Sequence, residues 1–130
     1  MKALGTFKVS LLPLDYSQPP EHEAKIGRMS INKTFQGDLS ANSKGEMLSA
    51  TTNIKGSAGY VAIEQVSGTL NNKSGSFILQ HFGIMSGSTH KLTLEVIPNS
   101  GTEELLGLSG SMQILISEGV HQYEFDYDIP

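Results

Sequence analysis

The sequence contains neither cysteine nor tryptophan in its 130 residues. Without cysteine there is no disulfide, no thiolate nucleophile and no cysteine-bound zinc. A basic face is missing as well. Nine Lys and Arg stand against thirteen Asp and Glu, for a net charge of −4. Proteins that bind nucleic acid need cations to neutralise phosphates, so the balance argues against that partner class. No apolar run approaches the ~20 residues of a membrane-spanning helix. Gly5, Thr6 and Lys8 interrupt any export segment near Met1. The expectation is a cytoplasmic protein with no membrane partner. Two Asn-x-Ser/Thr triplets, at Asn32 and Asn72, would matter only in a secreted eukaryotic protein, and nothing else points there.

Several chemical motifs are absent too. The four histidines, at 22, 81, 90 and 121, show no His-x-x-x-His spacing, and no acidic calcium loop occurs. A metal site is therefore not expected. The segment from Asn99 to Gly107 bears glycine but lacks the Gly-Lys-Ser/Thr of a phosphate loop, and there is no Gly-x-Ser-x-Gly elbow to anchor a hydrolase triad. No cofactor is implied.

What remains is abundant Gly and Ser with alternating apolar and polar residues. A chain of this length makes one domain, 1–130, and buries roughly two-thirds of its unfolded surface. Phe7, Val9 and Leu11 alternate with Lys8 and Ser10; Met29, Ile31 and Phe35 oppose Arg28, Ser30, Asn32 and Thr34; Tyr123, Phe125, Tyr127 and Ile129 alternate with Gln122, Glu124, Asp126 and Asp128. This period of two is the strand signature. Turn residues punctuate it at Gly37-Asp38, Gly56-Ser57, Asn71-Asn72-Lys73, Gly87, Asn99-Ser100-Gly101 and Glu118-Gly119. Gly and Asn tolerate the positive φ that tight hairpins require. With a longer connection from about Pro13 to Gly27, seven connections join eight strands. The fold class is all-β, an eight-stranded antiparallel meander barrel, with a two-sheet sandwich as the alternative. The long connection, with Ser17-Gln18-Pro19-Pro20-Glu21-His22-Glu23, suits a lid, a partner contact or a plain flexible link.

The segment Ser76–Met85 departs from the half-wet pattern. Phe77, Leu79 and Met85 share one face while Ile78, Phe82 and Ile84 share the other. Such a strand is expected to be buried on both sides, its outer face covered by a loop, a helix or a second subunit. A homo-oligomer, a dimer first, follows as an expectation, with Ile78, Phe82 and Ile84 as its surface.

Ionisable residues on apolar faces mark the candidate site. Glu64 shares a face with Tyr60, Ala62, Val66 and Leu70; His81 shares one with Phe77, Leu79 and Met85; Lys33 stands between Ile31 and Phe35. With a turn at Asn72-Lys73, Asn71 opposes Ser74 and Glu64 opposes His81, close enough for a carboxylate–imidazole hydrogen bond. A slip of one residue brings Gln80 opposite Glu64 instead. Glu64 and His81 form a candidate acid/base pair, or a buried polar pair that only fixes register. Lys33 either enters the interior or snorkels to the rim. Lys33, Gln80, Tyr60, Phe77 and Tyr123 are the candidate ligand-lining residues.

Several strings taken in order carry a resemblance: Lys33-Thr34-Phe35-Gln36-Gly37-Asp38-Leu39, Glu64-Gln65-Val66-Ser67-Gly68-Thr69-Leu70, Ser74-Gly75-Ser76-Phe77-Ile78-Leu79-Gln80-His81, Pro98-Asn99-Ser100-Gly101-Thr102 with Leu105, Gly107, Leu108 and Gly110, and Tyr123-Glu124-Phe125-Asp126-Tyr127. Together they resemble a bacterial family of uncharacterised proteins, and that family is similar to the allene oxide cyclase-like barrels. The resemblance implies an eight-stranded barrel with an interior cavity, lipocalin-like in form, and no particular activity. Glu103 stands where those barrels commonly carry glycine. Three functions fit: a binding module for a small apolar or amphipathic ligand, a cofactor-independent isomerase or cyclase using Glu64 and His81, and a structural or oligomerising protein.

Overall fold

A computed structural model describes residues 1–18 and 25–130. The His22-containing part of the long connection lies outside the described residues. Eight strands follow in chain order: β1 (Lys2–Leu14), β2 (Lys25–Gly37), β3 (Leu39–Thr51), β4 (Ala58–Leu70), β5 (Lys73–Ser86), β6 (Thr89–Val96), β7 (Ser109–Ser117) and β8 (Val120–Asp128). Each pairs antiparallel with its successor and β8 returns to β1, closing a barrel. Closure decides against the sandwich. Among the described residues no helix is long and apolar enough to cross a membrane.

The expected turn residues sit at the turns. Gly56, Gly87 and Gly119 take positive φ, as do Asn71, Asn72, Asn99 and Glu118. Glu103 also has a positive φ, 54°. It holds a backbone shape that a glycine adopts most easily.

Alternation divides each strand into an inner and an outer face. One end of the tube is plugged by aromatic and aliphatic side chains. Phe77 stacks on Phe125 with ring centroids 5.6 Å apart, Phe125 on Tyr127 at 5.4 Å, and Phe35 meets Tyr123 edge-on at 5.6 Å. The link between β6 and β7 folds over this end through a short 3-10 turn, Glu103–Leu105, burying Leu105 and Leu108. Tyr123 fastens the β2–β3 turn. Its Oη accepts from the Leu39 amide at 2.9 Å and lies 3.0 Å from the Gln36 carbonyl and 3.1 Å from that of Leu39. Replacing Tyr123 by Phe strands the Leu39 N–H, and a loss of about 1–3 kcal/mol is expected in urea denaturation.

At the opposite end the turns β3–β4, β5–β6 and β7–β8 ring a mouth. Inward side chains there, including Val9, Met29, Met47, Tyr60, Met85 and Ile114, are only half-buried. The seam between β6 and β7 is short, with Leu94 paired to Met112 and Glu95 to Ser111. By contrast, β4 and β5 pair along their whole length, from Ala58–Met85 to Leu70–Lys73.

The outer face of β5 differs from expectation. Phe82 and Ile84 keep 50% and 44% of their surface exposed, while Ile78 is half-buried near the β6–β7 link. Within one chain, β5 is therefore covered on its inner side only. The double-sided apolar pattern reports an outer face with no intramolecular cover.

Candidate functional site

Four polar side chains lie buried in the barrel between the plug and the mouth: Lys33, Ser43, Glu64 and His81. Each sits on an inward face, from β2, β3, β4 and β5 in turn. Glu64 is the hub. Its Oε1 accepts from Lys33 Nζ at 3.0 Å and from His81 Nε2 at 2.7 Å, and its Oε2 accepts from Ser43 Oγ at 2.6 Å. Tyr60 extends the chain, with Oη 3.2 Å from His81 Nδ1. The Lys33 ammonium also lies 4.9 Å from the Phe7 ring centroid and 5.7 Å from that of Phe35, within cation–π range. No buried side-chain nitrogen or oxygen among the described residues lacks a hydrogen-bond partner.

The expected Glu64–His81 pairing is met by a different register. The hairpin turns at Asn71-Asn72, whose φ values of 47° and 70° fit a type I′ turn, rather than at Asn72-Lys73. Glu64 therefore opposes Leu79, and His81 opposes Ala62. A shift of two positions leaves every side chain on its own face. Glu64 and His81 become diagonal neighbours, still within reach for long side chains.

The contact between Lys33 and Glu64 has a separate cause. The two lie on strands that flank β3, and β3 carries Gly45 between Ile31 and Glu64. A Cβ on Gly45 would fall 2.6 Å from Glu64 Cα and 2.9 Å from its Cβ. The missing side chain lets the lysine stem reach across a strand, so Lys33 is enclosed and does not snorkel to the rim.

Electrostatics follow from this packing. Burial pushes the Glu64 carboxyl up, but the hydrogen bond from His81, the charge of Lys33 and the hydrogen bond from Ser43 outweigh it and hold the group down at about 2. Glu64 is ionised and can only accept hydrogen bonds. His81 Nε2 must then carry hydrogen, and in the neutral ring Nδ1 accepts from the Tyr60 hydroxyl. Burial, with the nearby Glu64 charge, pushes the Tyr60 phenol up to about 12. The carboxylate thus sets the tautomer of His81, and His81 orients Tyr60.

The other candidate residues are dispersed. Phe77 belongs to the closed-end plug and Tyr123 to the β2–β3 turn. Gln80 points outward, exposed, away from Glu64. There it borders an outer-wall concavity of about 770 Å³, with Arg28, Glu46, Leu48, Val61 and Ile63 among its other lining residues. This concavity is large but lies across the wall from the polar chain. Ser43 was not among the expected site residues, although the small inward series Ala41, Ser43, Gly45 beside Lys33 could have signalled it. Among the described residues no three His, Asp or Glu side chains converge to hold a metal.

Comparison with known proteins adds the lineage. A family model described as a protein of unknown function, DUF3224, matches residues 3–127. The chain belongs to the DUF3224 family. A solved DUF3224 structure from Shewanella oneidensis MR-1, itself described as a protein with unknown function, is 52% identical. The alignment covers 100% of this chain and 98% of that one, with a TM-score of 0.96. A search of curated proteins gives no match. The expected bacterial family of uncharacterised barrels is thus the right one, and this DUF3224 chain shares its relative's fold throughout.

Proposed function

We propose that this DUF3224 barrel is a binding module for a small amphipathic molecule held in its mouth. The observation that carries the reading is the position of Tyr60. It is the half-buried end of a hydrogen-bonded chain whose other members are enclosed; it pairs across strands with Ser49, and the half-buried inward residues of the mouth include the apolar Val9, Met29, Met47, Met85 and Ile114. Pre-formed sites typically combine such an apolar lining with a few fixed polar groups. With His81 in its neutral form, Tyr60 gives its hydrogen to Nδ1 and keeps lone pairs for a ligand donor, which suits an alcohol or a protonated acid at the ligand's polar end. Methionines suit an apolar body of variable shape.

The test uses dodecanol and dodecanoate as probes, with ¹³C-labelled methionine methyls as reporters. The alcohol is expected to shift the signals of Met29, Met47 and Met85. Tyr60→Phe is expected to weaken its binding about tenfold, the loss of one hydrogen bond. Methyl signals unmoved by either probe would overturn the reading.

A cofactor-independent isomerase is the second reading, favoured by the same Glu–His–Tyr order. Glu64 is enclosed and held by three donors, so on this reading it positions His81 while Tyr60 meets the substrate. Chemical change in a bound probe, abolished by Tyr60→Phe, separates catalysis from binding.

A further inference from the structure

The outer wall across β3, β4, β5 and β6 carries an uncovered apolar face. Leu48, Val61, Ile63, Phe82 and Ile84 are 44–50% exposed, which leaves roughly 400 Å² of contiguous apolar side chain, at the level where monomers begin to show a functional patch. One side of a standard interface buries about 800 Å², a little over half of it apolar. The patch is of that size. We infer that this wall is a two-fold interface with a second copy of the same chain.

The register argues for a second copy over an unrelated partner. Cross-strand pairs arrange the outward residues in rows. Leu48, Val61, Phe82 and Thr93 form a central row; Glu46, Ile63, Gln80 and Glu95 form the row on one side; Ala50, Gly59, Ile84 and Lys91 form the row on the other. A two-fold axis along the central row turns each flanking row onto the opposite one of the partner. Ile63 then falls over Gly59, Glu46 over Ala50 and Gln80 over Ile84. On β6, Lys91 meets Glu95 of the partner subunit, and the reciprocal pair forms at the symmetry-related place. The face is complementary to itself in charge, as an isologous contact requires. Arg28, at the margin, is held by Glu46 and by the Asp15 carbonyl, and barrel curvature carries β2 away from the axis.

Light scattering on the full chain at micromolar concentration, with and without substitutions, tests this. Wild type is expected as a dimer and Phe82→Glu as a monomer, with far-UV circular dichroism confirming that the barrel persists. Leu115→Glu, at an outward position on β7, is expected to leave the dimer intact. Lys91→Glu and Glu95→Lys alone each weaken association about tenfold, and the two together restore it. The charge exchange keeps the test decisive if Phe82→Glu fails to fold. A monomeric wild type, a dimer that survives Phe82→Glu in a folded barrel, or a double exchange that fails to restore association would each overturn the inference.

Discussion

Replacing Glu64 by Gln is expected to cost about 3–5 kcal/mol, read as a fall in the urea midpoint at neutral pH. The carboxylate accepts from Lys33, His81 and Ser43 at once, with no exposed surface of its own. An amide of the same shape offers a single acceptor oxygen, and its NH₂ confronts a donor. The larger loss is the counter-charge, because the Lys33 ammonium stays enclosed beside the Phe7 and Phe35 rings without the anion it pairs with. Removing both charges should therefore hurt less than removing one. The double variant Lys33→Met with Glu64→Gln is expected to recover most of the loss, since replacing a whole buried pair by apolar groups is often close to neutral. If the double variant is as unstable as the single one, the interaction is not a charge pair in the energetic sense.

The same carboxylate gives the fold an acid dependence with a definite sign. Its native value of about 2 lies below the ordinary 4.5. The unfolded chain therefore takes up the proton first as pH falls. The stabilisation from Glu64 is fully present above about 4.5 and is lost as pH falls toward about 2. Urea midpoints across this window should drop more steeply for wild type than for Glu64→Gln.

Gly45→Ala is expected to destabilise by about 3 kcal/mol, the upper end for an overpacked core. The atoms that a Cβ would meet are the Ile63 carbonyl oxygen, Glu64 Cα and Glu64 Cβ. Two of the three are backbone and cannot swing aside, so β3 must move from β4 and loosen the site where Lys33 reaches Glu64. Gly27→Ala on β2 is the matched control, since its nearest obstacle is Ser49 Oγ at 3.4 Å, an ordinary contact. That substitution should be neutral, or slightly stabilising through the unfolded chain. Urea denaturation of the two variants side by side separates close packing from a general intolerance of strand glycines.

Much of this was legible in the residues. Parity sorted Glu64, His81 and Lys33 onto inner faces, because a strand has only two faces and the apolar neighbours declare which is buried. Gly and Asn located the turns because few residues adopt positive φ. The register of the β4–β5 hairpin was less accessible, since Asn71-Asn72 and Asn72-Lys73 are both plausible turns and only the tube as a whole selects one. The reach of Lys33 over Gly45 depends on how closely curved strands approach, and local pattern does not encode that. Gln80 belonged to the alternative register, one residue away, that sets it opposite Glu64; the observed pairing sets it opposite Ile63 on the outer face, because a slip of one turns every side chain over.

The brevity of the β6–β7 seam bears on how rigid this tube is. A closed cylinder resists a change of circumference by the number of hydrogen bonds that must part along one line. Along most lines here that means a long ladder, but between β6 and β7 it means the pairing around Leu94–Met112 and Glu95–Ser111. The barrel is mechanically a stiff ribbon with one short fastening, and its compliance is concentrated there. Parting that fastening is the cheapest way to widen the interior.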